Sequence, residues 1–186
     1  MRHPKYYMIL LLAGLTTGAL EPRELSAPLD QEEYLEADDW FQAGLLLNSE
    51  GRFQEATEAF AKSVSIEPGN AFSWLNLGTA QALLGDYPHA IDALKKSVLL
   101  DPSIALAYSN LAEVCFRTDR FQDAVEAYTA LLGLWPQNAN AHYKRGLCYL
   151  ALHQGANARA DYLSLKDMDP ELAEKLLQAI NRAPDR

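Results

Sequence analysis

Catalysis or metal binding in this 186-residue chain would have to begin with four histidines, two cysteines and a few paired acids. Histidine carries protons near neutral pH and is the commonest metal ligand, so His3, His89, His142 and His153 are the first candidates. They share no metal-ligand spacing. Asp38 and Asp39 stand on an early helix, where solvation is their simplest role. No G-x-S-x-G, P-loop, H-E-x-x-H or C-x-x-C motif occurs. An enzyme therefore has no footing in these residues, and no cofactor or metal is expected. What remains is noncovalent work: shape, apolar contact and hydrogen bonding.

The totals narrow the partners. Apolar residues make up 49% of the chain and charged residues 22%, as in a folded globular protein. The net charge of −9 repels phosphate backbones, and Lys95-Lys96 and Lys144-Arg145 are isolated pairs rather than a basic patch. Nucleic acid is not an expected partner. The start differs from the rest. Arg2 and Lys5 precede an uncharged, mostly apolar run, with small residues near Thr17-Gly18-Ala19. That pattern predicts a secretory signal peptide over 1–20, or else an uncleaved N-terminal anchor. The uncharged stretch Tyr6–Leu20 is fifteen residues, short of the roughly 20 that span a membrane. No cysteine lies beside it, which argues against a lipid anchor. The folded part is expected outside the cytoplasm, in the periplasm or on the envelope. Residues 21–36 hold six acids and two prolines and read as an acidic linker. Asp30 with Glu33 predicts a helix starting near Gln31.

The elements that must position any site come from a repeat. Pro68, Pro102, Pro136 and Pro170 stand 34 residues apart, and they divide the chain into blocks 37–70, 71–104, 105–138 and 139–172. The fourth position of each block holds Trp40, Trp74, Tyr108 and His142; the eighth holds Gly44, Gly78, Ala112 and Gly146; the twentieth holds Ala56, Ala90, Ala124 and Ala158. Phe60, Leu94, Tyr128 and Tyr162 occupy the twenty-fourth. Within a block, apolar residues follow helical spacing, broken by "GDYP" and "LDPS". Each block is therefore helix A, turn, helix B, turn. Glycine in a helix costs about 1 kcal/mol against alanine, yet block three accepts Ala112 at the eighth position. The requirement is smallness, and positions eight and twenty are predicted to be where A and B come closest.

This pattern resembles the tetratricopeptide repeat (TPR), Trp-x2-Leu-Gly-x2-Tyr, then Ala-x3-Phe, then Pro, at 34 residues. The resemblance covers 37–172. It implies an all-α, right-handed α-solenoid of four stacked helix hairpins. Arg145 departs from the usual Leu, and block four lacks the turn glycine seen as Gly51 and Gly85, which predicts a looser corner there. Residues 173–186 supply a capping helix and tail. Asp169 is the predicted N-cap ahead of Pro170, and Leu172, Leu176, Leu177 and Ile180 form its apolar stripe. Cys115 and Cys148 fall on successive A helices, about 10 Å apart by helix packing, beyond the roughly 7 Å that a disulfide bridges. Two buried thiols are the expectation.

The resemblance also implies a concave face, lined by A helices, that binds a peptide segment or a helix of a partner protein. Carried over by position, its lining is Phe41, Gln42 and Leu45 in block one, and Phe72, Leu75, Asn76 and Thr79 in block two. Block three adds Leu106, Ser109, Asn110, Glu113, Phe116 and Arg117; block four adds Asn140, Tyr143, Lys144 and Leu147. Gln42, Asn76, Asn110 and Lys144 form a ladder suited to peptide backbone. Too few cations remain to grip a chaperone's C-terminal carboxylate as one TPR subfamily does. The expected function is a non-enzymatic adaptor or scaffold. Alternatives are a secretion-type chaperone for unfolded substrates and a self-assembling structural subunit, so a homo-oligomer is possible.

Overall fold

The computed structural model describes residues 36–183. The predicted leader, the linker up to residue 35 and the helix start at Gln31 lie outside the described residues, as do 184–186. Nine helices and no strand make up the described residues: α1 (Ala37–Ser49), α2 (Phe53–Ile66), α3 (Ala71–Leu83), α4 (Tyr87–Leu100), α5 (Ala105–Arg117), α6 (Phe121–Leu134), α7 (Ala139–Ala151), α8 (Gly155–Met168) and α9 (Pro170–Arg182). The A helices α1, α3, α5 and α7 each begin at the first residue of a 34-residue block. Each helix packs mainly on its neighbours in sequence, while successive A helices barely touch. This is an all-α solenoid. The last helix differs, lying on both α8 and α7, as a terminal cap must to cover the exposed end.

Local chemistry sets the boundaries. Asn70 Oδ1 accepts from the Phe72 and Ser73 amides at 3.0 and 3.1 Å. Asn138 and Asp169 cap α7 and α9 in the same way, each at 3.0 Å. Between A and B helices, position fifteen takes a left-handed backbone in every block: Gly51 (φ 76°), Gly85 (φ 81°), Asp119 (φ 56°) and His153 (φ 58°). The next amide then reaches back to close the A helix, from Arg52 to Leu47, Asp86 to Gln81, Arg120 to Cys115 and Gln154 to Tyr149, at 2.8–2.9 Å. The looser corner expected in block four is thus absent. His153 accepts the glycine conformation because two backbone bonds hold it there.

The glycine at position eight is explained by what its missing side chain would meet. A Cβ on Gly44 would lie 2.5 Å from the Phe60 ring. On Gly78 it would lie 2.7 Å from Leu94 Cγ and 2.9 Å from the Ala90 carbonyl oxygen. On Gly146 it would lie 2.6 Å from Leu176 of α9. Position twenty is fully buried in every block, but the side chain that fills the space over the glycine comes mainly from position twenty-four or from the cap. The expected contact between positions eight and twenty appears at Gly78 through the Ala90 backbone, while the atoms nearest Gly44 and Gly146 come from Phe60 and Leu176.

Block four replaces two buried apolar positions, and one partly buried aromatic one, with polar side chains. Positions seven and twenty-three are Ala43, Leu77, Leu111 and Ala59, Ala93, Ala127 in the first three blocks, all buried. In block four they are Arg145 and Asp161. Asp161 is 1% exposed. It accepts from Arg145 Nε at 3.0 Å and Nη2 at 2.7 Å, and its Oδ1 lies 2.7 Å from His142 Nδ1. His142 Nε2 donates to the Pro136 carbonyl at 3.1 Å, matching the 2.9 Å bond from Trp74 Nε1 to Pro68. His142 does more than fill the aromatic position of its block. It reproduces the tryptophan's hydrogen bond and adds a second one that requires Asp161.

Three outcomes follow for thermal or denaturant unfolding. Gly78→Ala gains about 1 kcal/mol of helix propensity but costs about 1–3 kcal/mol by overpacking; net destabilisation is expected, and a more stable variant contradicts the contact. His153→Gly relieves about 1–2 kcal/mol of left-handed strain against about 0.5–1 kcal/mol of added chain freedom, so a small gain is expected, and a loss contradicts the strain. Asp161→Ala takes the carboxylate from buried His142 and half-buried Arg145 and should lose about 3 kcal/mol, whereas the triple change His142→Trp, Arg145→Leu, Asp161→Ala should recover most of it. Equal stability of parent and single variant contradicts the cluster's role.

Candidate functional site

The side chains assigned to the partner-binding face fall into three groups. Leu75 is 3% exposed and belongs to the core. It cannot line a surface, because helical phase turns it toward the next hairpin; that assignment is corrected. Phe41 packs on the first core cluster with its ring centroid 5.9 Å from that of Phe60, and Tyr143 and Leu147 pack against the cap cluster. Phe72 and Leu106 remain open, 54% and 55% exposed.

The polar ladder is largely engaged within the chain. Asn110 Nδ2 donates to Thr79 Oγ1 at 2.9 Å, and that hydroxyl donates to the Leu75 carbonyl at 2.7 Å. Lys144 Nζ donates to Glu113 Oε2. Both cross-links join position six of one block to position nine of the block before. In block one position nine is Leu45, so Asn76 has no such acceptor and its Nδ2 bonds the Phe72 carbonyl of its own helix at 2.8 Å. Gln42 Nε2 reaches Asp38 at 3.4 Å. Of the expected free ladder, Asn110 and Lys144 are therefore stitches between A helices that touch little otherwise, and Gln42 and Asn76 bond within their own helices. Spacing alone could not show this, since it placed the donors without their acceptors.

One place on this face is concave. A cleft of about 160 Å³ opens between α3, the start of α4, and α5, lined by Thr79, Ala82, Leu83, Tyr87, Asn110, Glu113, Val114 and Arg117. It brings together four predicted residues, Thr79, Asn110, Glu113 and Arg117. It adds four that were missed. Ala82 and Leu83 stand at positions twelve and thirteen, the same positions that named Phe116 and Arg117 in block three, so the signal for them existed. Tyr87 opens a B helix and Val114 stands at position ten, outside the carried-over set. Leu83 is 54% exposed and gives the cleft its apolar wall.

The electrostatics centre on Glu113. Burial works against its charge, but hydrogen bonds from Lys144 and from Arg117 (Nε to Oε1, 3.0 Å) outweigh burial and hold its carboxyl below the usual range. Lys144 Nζ also sits 5.8 Å from the centre of the Phe116 ring. The hydroxyl of Tyr128 is buried near Glu113. Burial first, and then the Glu113 charge, push its acidity far out of reach.

Cys115 and Cys148 are free and fully buried. Burial raises their thiols to about 11 and about 12, which leaves them protonated and unreactive near neutral pH. Among the described residues, no group of three or more His, Cys, Asp or Glu side chains could hold a metal ion.

Comparison with known proteins places this architecture. Residues 75–139 and 110–173 match one tetratricopeptide repeat family model, and residues 40–70 match a second. Two solved structures of MamA are similar. One is 27% identical, covering 75% of this chain and 91% of that one, with a TM-score of 0.64. The other is 28% identical, covering 79% and 85%, with a TM-score of 0.68. YrrB, described as a TPR protein with an unusual peptide-binding site, shares the fold at 21% identity, covering 76% and 74%, with a TM-score of 0.68. A search of curated proteins gives no match. With the matched segments spanning more than half of its length, and with the helix pattern they describe present throughout 37–168, the chain belongs to the tetratricopeptide repeat family.

Proposed function

We propose that this protein is a non-enzymatic interaction module that holds an extended segment or helix of a partner protein against its A helices. The cleft between α3, α4 and α5 carries the reading. Pockets for small molecules run to about 300–1,000 Å³; a cleft of about 160 Å³ is too small for a cofactor and suits one apolar side chain. Its lining sets apolar Ala82, Leu83 and Val114 beside polar Thr79, Asn110, Glu113 and Arg117. Apolar surface interleaved with hydrogen-bonding groups is what a protein-binding site offers a partner side chain. The exposed Phe72 and Leu106 extend apolar contact beyond the cleft. YrrB supports the reading by analogy of fold, since its structure is described by a peptide-binding site. The basic-then-apolar residues 1–20 support placing this work outside the cytoplasm, in the periplasm or on the envelope surface.

The test is selection from a displayed library of random peptides, followed by affinity measurement with Leu83→Asp. The parent is expected to enrich peptides sharing an apolar anchor. Leu83→Asp should weaken them by about tenfold or more, which is about 1.4 kcal/mol, while unfolding stays within about 0.5 kcal/mol of the parent, as for surface changes generally. Unchanged affinity, or a library that yields no binder, contradicts the proposal.

A further inference from the structure

Charge at the cleft is unequal, and that says what it can receive. One carboxylate, Glu113, faces two cations, Arg117 on α5 and Lys144 on α7. The opposite wall, α3, holds no acidic or basic residue. Asp86, just before Tyr87 at the start of α4, is turned to His89 Nδ1 at 2.8 Å. The local balance is therefore positive, although the chain carries −9. Distant acids count for little here, since physiological salt screens exposed charges beyond about 8 Å.

The two cations are not equivalent. Lys144 has a side chain 26% exposed, held between Glu113 and the Phe116 ring. Arg117 is 59% exposed. Its Nε donates to Glu113 at 3.0 Å, and the Tyr87 hydroxyl accepts a further hydrogen bond from it. A guanidinium offers its donors as a rigid planar fork, so donors remain after these two bonds. Contacts with α4 and α5 orient the fork before any ligand arrives. A fork so held can take a carboxylate by two parallel bonds. Leu83 stands at position thirteen of block two and Arg117 at the same position of block three, and both line the cleft. An apolar side chain seated against Leu83 therefore brings its sequence neighbours within reach of Arg117.

Resting on the groove reading above, we infer that Arg117 is a specificity-determining residue: it takes a side-chain carboxylate of the partner, so the segment that fills the cleft carries an aspartate or glutamate close to its apolar anchor. Glu113 supports this role by holding Arg117 at the cleft while leaving the fork unsaturated.

The experiment uses the full chain, Arg117→Gln, and Lys62→Gln as a control that removes an exposed cation of α2. The probes are synthetic peptides built on the apolar anchor selected by the parent. One set carries a single glutamate at each position flanking the anchor in turn, and a matched set carries glutamine. The parent should bind at least one glutamate peptide about fivefold more tightly than its glutamine match, with the difference shrinking at high salt. Arg117→Gln should erase that preference while keeping its affinity for the glutamine peptide, which shows that the cleft is still formed. Lys62→Gln should retain the preference. No glutamate preference in the parent, an unchanged preference in Arg117→Gln, or an equal loss in Lys62→Gln each overturns the inference while leaving the groove reading standing. A parent that binds neither set defeats the groove reading itself and this inference with it, so the two failures are distinct.

Discussion

Two hairpins of this solenoid, and the seat of its cap, depend on a helix contact too close for a side chain on one partner. At Gly44 and Gly78 the space above the A helix is filled by Phe60 and Leu94 from the B helix, and in block four the same space is filled by Leu176 of the cap. Close packing of this kind makes interiors intolerant of even one added methylene. It also fixes the angle at which A and B meet. With that angle repeated every 34 residues, successive hairpins stack, and the A helices come to lie side by side with little direct contact. The cleft between α3 and α5 is a consequence of that stacking, the place where neighbouring A helices separate enough to leave a hollow.

Polar side chains do the joining that close packing leaves undone. Asn110 with Thr79 ties α5 to α3, and Lys144 with Glu113 ties α7 to α5. Both links use the same two positions in successive blocks, so their chemistry changes along the solenoid, from amide and hydroxyl to an ion pair. The same substitution of polar for apolar recurs at the C-terminal end, where His142, Arg145 and Asp161 occupy positions held elsewhere by aromatic, aliphatic and alanine side chains. Buried charge is costly unless paired and hydrogen-bonded, and here every member has a partner.

Periodic features of the fold could be read from the sequence because they repeat. Helix starts at Ala37, Ala71, Ala105 and Ala139, the turn after each A helix, the cap at Asp169 and the burial of Ala56, Ala90, Ala124 and Ala158 all follow from residue type and a fixed interval. What escaped depends on pairs rather than single positions. Leu75 matched a groove position but its phase puts it in the core. The ladder of Gln42, Asn76, Asn110 and Lys144 matched in spacing, but its meaning rested on which residue stood at position nine of the preceding block. His142 looked like a packed aromatic substitute until Asp161, nineteen residues later, was brought against it. His153 adopted the glycine turn because the closing backbone bonds outweigh its strain.

The central claim, that the hollow between the second and third A helices receives a partner's side chain, is tested most directly by methyl-resolved NMR of the full chain titrated with a library-selected peptide. The account predicts the largest shifts at the methyls of Ala82, Leu83 and Val114, with intermolecular contacts from those groups to the peptide's apolar anchor. Shifts confined to the B helices or to α9, with those three methyls unmoved at saturation, would contradict it.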